Sequence, residues 1–183
     1  MNLKNDMTCI TRTMLNIVLL LAGAVICVHA EPVIQPVDQL KTAYIYNFAK
    51  FIEMPSRSDD KTLRICQVGK DDLGGTLQAL NQRIAQGREI TVRKDVNPEQ
   101  LQDCAVVFMG RTDVRGLSAI VRQIELFPLL FISDMPNAVE KGAHLGLVVS
   151  DDRVGFDVNL PLLQKSGIKA SSQMLKLARS VIR

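Results

Sequence analysis

The sequence predicts an α/β domain: a three-layer sandwich with a mostly parallel sheet of about five strands, one antiparallel hairpin strand at its edge, and helices on both faces. Three observations carry this. Short β-rich runs alternate with segments of helical apolar spacing, the pattern of parallel strands joined by crossovers. Cys104 to Met109 is almost continuously apolar, as a strand buried on both faces requires. Two strand-like runs flank Ser150-Asp151-Asp152-Arg153 with no room for a crossover, so the second returns antiparallel.

The elements follow in order. Asp38 caps a helix over Gln39 to Glu53, with Leu40, Tyr44, Ile45, Phe48, Phe51 and Ile52 on one face, and Pro55 stops it. Thr62 to Val68 is the first strand. Gly69-Lys70-Asp71-Asp72 turns into a helix carrying Leu73, Leu77, Leu80 and Ile84. Ile90 to Arg93 is a short second strand, and Asn97-Pro98 opens one helical turn. Cys104 to Met109 is the third strand. A helix from about Val114 to Leu126 turns Leu117, Ile120, Val121 and Ile124 inward. Leu129 to Ile132 is the fourth strand, Asn137 to Lys141 a short helix ending at Gly142, and His144 to Val149 the fifth strand. Val154 to Val158 is the returning strand. Asn159 caps a turn with Pro161 near its start. Ser171 or Ser172 opens a last helix with Met174, Leu175, Ala178, Val181 and Ile182 on one side.

Residues 1–30 read as a cleaved export signal. Lys4 and Arg12 give a basic start, Met14 to Val28 is apolar apart from Asn16 and Gly23, and Val28-His29-Ala30 presents a cleavage site after Ala30. The alternative is an uncleaved anchor, for which the apolar run is short. Ile26 before Cys27 does not fit a lipobox. Residues 31–37, with Pro32 and Pro36, read as an extended leader, and 38–183 as one domain.

Removing residues 1–30 from the 183 leaves 153 and takes the net charge from +3 to +2, because Lys4, Arg12 and Asp6 leave together. That charge is too small to argue for nucleic acid. Cys9 and Cys27 leave as well. Cys66 and Cys104 remain, in a compartment that oxidises thiols. They allow one disulfide, and the alternative is two separate buried thiols. His144 is the single histidine left, so neither a metal site nor a cofactor is expected.

Four places in the chain bear on chemistry. Gly69 to Thr76 has P-loop glycine spacing, but Gly75 stands where lysine is needed, so a plain strand-to-helix turn fits better. Asp134 ends a strand, where open sheets form a ligand crevice; with Lys70, Asp71, Arg111 and Ser133 it lines a candidate pocket, or else it caps the turn before Pro136. Ser118, Ser133 and Ser166 lack a nucleophile motif, and His144 reads as structural rather than as a general base. From Leu160 onward there are five basic residues and no acid: Lys165, Lys169, Lys176, Arg179 and Arg183. That end suits an acidic protein surface or anionic lipid headgroups, or is a solvated face.

The run Thr42-Ala43-Tyr44-Ile45-Tyr46-Asn47-Phe48-Ala49-Lys50-Phe51-Ile52-Glu53-Met54-Pro55 resembles the opening helix of the YfiR family of exported bacterial proteins. Leu63 to Gly69 with Leu73-Gly74-Gly75, Phe131 to Asp134, Val154 to Leu160 and Ser171 to Arg179 resemble later family segments, in the family's order and spacing. The resemblance implies a periplasmic regulator without enzymatic activity. It would bind the periplasmic sensing domain of an inner-membrane diguanylate cyclase and repress cyclic di-GMP synthesis, and with it biofilm formation. An outer-membrane partner can sequester such repressors, and reduction of a disulfide is one proposed release signal. Cys66 and Cys104 look like one of two family pairs; the second pair has no cysteines here, which argues against a redox switch that depends on it. A homodimer is expected, because an open sheet leaves edges and faces to cover. The expected partner face is Gly167, an exposed Ile168, Lys169, Lys176 and Arg179. Two readings compete with this one: a small-ligand sensor using the crevice near Asp134, and a hydrolase dependent on His144.

Overall fold

A computed structural model describes residues 36–55, 61–70, 73–111, 116–151 and 153–183. The expected export signal, the start of the leader and Asp71 lie outside the described residues. Helix α1 (Pro36–Phe51) begins inside the expected leader. Proline suits a first turn, where its missing N–H costs nothing. Ile45, Phe48 and Ala49 face the core, whereas Leu40 and Phe51, expected to point inward, are 44% and 55% exposed. The helix ends at Phe51. β1 (Ile52–Glu53) then pairs antiparallel with β9 (Lys169–Ala170) as a separate two-stranded sheet.

The main sheet contains β2 (Thr62–Val68), β3 (Ile84–Ala85), β4 (Arg88–Val96), β5 (Val106–Met109), β6 (Leu130–Ser133), β7 (Leu145–Ser150), β8 (Arg153–Asn159) and β10 (Ser180–Ile182). Its order is β10-β8-β7-β6-β5-β2-β4-β3, so it is an eight-stranded mixed sheet rather than five strands plus one. Only β3–β4 and β7–β8 are antiparallel; the other neighbours are parallel. Alternation along the strands makes two cores. Ile65, Val106, Phe108, Leu130 and Ile132 pack with α1, where Phe48 meets Phe156 edge-on at 5.0 Å. Cys66, Val107, Met109 and Phe131 pack with Ile120 and Ile124 of α2 (Leu117–Leu126). Helices therefore cover both faces.

Three expectations need correction. The helix expected around Leu73 to Ile84 is a turn and a single 3-10 stretch, Thr76–Leu80. Gly74 and Gly75 both take positive φ, and the chain then enters a tight hairpin through Gln86 (φ 52°) and Gly87 (φ 74°). Two central residues with positive φ match the twist of a two-residue hairpin. Gln86 is held there because its Nε2 donates to Ala49 O at 2.8 Å and Ile52 O at 2.6 Å, satisfying carbonyls at the end of α1. Asn137 to Lys141 forms turns and not a helix, beginning with Asn137 at φ 56°. The last helix, α4 (Ser172–Leu177), stops early, and Val181 and Ile182 belong to β10, parallel to β8. The β7–β8 hairpin consequently lies inside the sheet and β10 forms its edge.

Candidate functional site

The C-terminal segment is built by two capped short helices. Asn159 Oδ1 accepts from Leu162 N–H at 3.0 Å to open α3 (Leu160–Lys165), and Ser171 Oγ accepts from Met174 N–H at 3.2 Å to open α4. After α3, Gly167 at φ 69° lets its own N–H reach Gln164 O and lets Ile168 N–H reach Leu163 O. This is a Schellman closure, which turns the next residue toward the helix. Ile168 is accordingly only 2% exposed, contrary to expectation, and packs in the α1-side core. Lys169, Lys176 and Arg179 are exposed. Arg179 is not free: its Nε donates to Asp157 Oδ1 at 2.9 Å and its Nη2 to Oδ2 at 2.5 Å. Those hydrogen bonds, with the carboxylate charge, raise its pKa further. A groove of about 220 Å3 lies between α1 and α4, floored by Phe48, Phe156 and Met174 and flanked by Phe51 and Leu177. Leu177 is 77% exposed. Sequence periodicity placed Phe51 inward and did not include Leu177 on the apolar side of the last helix, so neither flank was found.

Arg111 and Asp134 line one cavity of about 320 Å3, joined by Lys41 of α1 and by Asp157 and Arg179. Lys41 Nζ donates to Asp134 Oδ2 at 2.6 Å and lies 3.8 Å from Asp38 Oδ1. Ser133 is buried beneath, donating to Met109 O at 2.7 Å, and Lys70 does not line the cavity.

Cys66 on β2 and Cys104 before β5 form a disulfide with their Cα atoms 5.9 Å apart. Both are buried in the α2-side core, a setting that limits access to an attacking thiolate. His144 is also buried, and burial lowers its pKa to about 4. Its Nδ1 accepts from Phe131 N–H at 3.0 Å, so the ring proton sits on Nε2, 2.9 Å from Ser166 Oγ. The imidazole donates to this serine, the reverse of what a general base does. The chain thus brings a histidine and serine together that the sequence left apart, in a structural role. Among the described residues, no cluster of three metal-ligating side chains occurs, and no helix is long and apolar enough to cross a membrane.

Two solved structures are distantly similar. One is a conserved domain protein from Vibrio cholerae O1 biovar El Tor strain N16961, at 10% identity and TM-score 0.49, over 80% of this chain and 60% of that one. The other is the ABC domain in complex with L-Trp from Streptococcus pneumonia, at 11% identity and TM-score 0.47, over 66% and 55%. The chain spans less than two thirds of either, and neither likeness bears on function. A family model described as YfiR/HmsC-like matches residues 38–179, which include both paired cysteines, Asp134 and the C-terminal face through Arg179. This protein belongs to the YfiR/HmsC-like family.

Proposed function

We propose that this protein is a periplasmic negative regulator that binds the periplasmic sensing domain of an inner-membrane diguanylate cyclase and represses cyclic di-GMP synthesis. Family membership supports the coarser part, a periplasmic regulator of a diguanylate cyclase rather than an enzyme. In this reading, residues 1–30 direct export and are removed after Ala30, the mature chain forms a homodimer, and an outer-membrane protein can sequester it. No cofactor takes part.

The observation that carries the contact face is the apolar groove between α1 and α4. Phe51 and Leu177 stand exposed at its sides, each preceded in the chain by an exposed lysine, Lys50 and Lys176. An apolar centre with charged neighbours is the anatomy of a protein interface. Lys169 and Lys176 remain candidates for its basic rim. Ile168 is buried in the α1-side core and so is not part of the contact surface, and Arg179 serves the face through β10. The test is a cell in which cyclic di-GMP is measured with Leu177→Asp or Lys176→Glu protein in place of the natural one. Cyclic di-GMP should rise while the melting temperature of the purified variants stays unchanged. If repression survives both substitutions, the contact face lies elsewhere. A pull-down of solubilised inner membrane with the mature protein tests the partner itself.

A further inference from the structure

The cavity at the carboxyl ends of β5 and β6 has a different chemistry from the groove. Its walls come from Lys41 of α1, Arg111 after β5, Asp134 to Ala138 with Glu140 after β6, Gly146 to Val149 of β7, Asp157 of β8 and Arg179. In open parallel sheets, ligands bind outside the carboxyl ends of the strands. About 320 Å3 suits a small molecule and not a peptide.

The carboxylate of Asp134 is incompletely satisfied. Its side chain is 3% exposed, and Lys41 holds Oδ2 at 2.6 Å. Oδ1 is buried without a hydrogen-bond partner. Such orphaned acceptors are uncommon in folded proteins, and each asks for a donor. On the same lining, Arg111 is exposed and has no carboxylate partner among the described residues. Arg179 is different, because Asp157 already occupies its guanidinium. Among the described residues, this lining therefore holds an arginine without a carboxylate partner and a buried carboxylate oxygen without a donor, with Glu140 as a further acid on the wall.

We propose that this cavity binds a small hydroxylated anion, its carboxylate or phosphate on Arg111 and a hydroxyl donating to Asp134 Oδ1. Arginine presents a planar fork that matches either anionic group. The donor is a hydroxyl and not an ammonium. Lys41 already supplies a cation to the Asp134 carboxylate, while also lying 3.8 Å from Asp38 Oδ1, so what Asp134 Oδ1 lacks is a hydrogen-bond donor and not a charge. This inference does not depend on the cyclase reading, since it concerns the isolated protein.

Calorimetry and thermal melts of the purified protein test it. The probes are D-gluconate and glycerol 3-phosphate, compared at matched ionic strength with acetate, glycerol and glycine. Saturable binding and a rise in Tm are expected for at least one of the two hydroxylated anions, and which one binds identifies the anionic group. Acetate lacks the hydroxyl, glycerol lacks the charge, and glycine offers an ammonium, so none of them should match it. Arg111→Gln, an exposed change, should weaken binding by about tenfold or more with the ligand-free Tm unmoved. Asp134→Asn is the less clean variant, because it also disturbs Lys41. An equal response to glycine overturns the hydroxyl assignment. Absence of saturable binding by both anions, or unaltered affinity in Arg111→Gln, overturns the site.

Discussion

The Lys41 ammonium donates to the Asp134 carboxylate at 2.6 Å, tying the first helix to the end of β6 across 93 positions of sequence. Both side chains are nearly sealed from solvent, at 7% and 3% exposure. Removing one partner strands a buried charge, whereas removing both does not. Lys41→Met should therefore cost about 3 kcal/mol or more, and the double variant Lys41→Met/Asp134→Leu should recover much of it. Urea denaturation of the two singles and the double closes the cycle. Additive losses would mean that the pair has no mutual coupling.

The Cys66–Cys104 bridge closes a loop of 38 residues and fastens β2 to the segment entering β5. A closure of that length stabilises by about 4 kcal/mol in the chain-entropy model. Replacing both cysteines with alanine should lower stability by a comparable amount. The natural protein, freed of residues 1–30 and denatured without reductant, should titrate no free thiol. Full reactivity of both cysteines in that assay would contradict the bridge. Because both are buried, mild reductant should reach the native bridge far more slowly than the unfolded one.

Arg179 clasps Asp157 in two hydrogen bonds, and its own N–H donates to Phe156 O at 2.8 Å, which starts β10 alongside β8. The pair is half open to water, so its charge is worth little, on the order of 1 kcal/mol. Arg179→Gln should cost about that much. It should also raise hydrogen exchange at Ser180 to Ile182 before any other strand responds. Uniform exchange throughout the sheet would show that β10 is not anchored by this side chain. For the same reason, charge reversal at Arg179 tests the edge strand and the partner face together, whereas Lys176→Glu tests the face.

Some of this was legible in the residues and some was not. The nearly continuous apolar run from Cys104 to Met109 gives β5, because a strand buried on both faces has no polar side to show. The caps at Asn159 and Ser171 were readable because they act locally. Ile168 was misread because its burial depends on a Schellman turn that the single Gly167 permits. Val181 and Ile182 fit a helix face and a strand equally well; what decides is Arg179 reaching Asp157, a contact spanning 22 residues. Nothing in the sequence singles out Lys41, and only the tertiary fold sets it against Asp134. The crevice was half legible: strand-end logic found Asp134 and Arg111, but nothing local pointed to Lys41.

His144 joins β6, β7 and α3, accepting from Phe131 N–H and donating toward Ser166, the residue that ends α3. Burial lowers its pKa from 6.5 to about 4. In the unfolded chain the ring takes a proton below pH 6.5; in the folded chain it stays neutral until about pH 4. Between those values the unfolded state binds more protons, so stability falls as pH falls. The contribution is fully present above pH 6.5 and is lost progressively toward pH 4, in total about 3 kcal/mol. Protonation at Nδ1 would also set two donors against each other at Phe131. His144→Asn keeps an acceptor near Phe131 N–H but cannot titrate. Its free energy of unfolding in urea should fall less between pH 7.5 and pH 4.5 than that of the natural protein, by about 2.5 kcal/mol. Identical pH dependence in the two proteins would show that His144 does not carry this loss, and that other groups govern acid stability.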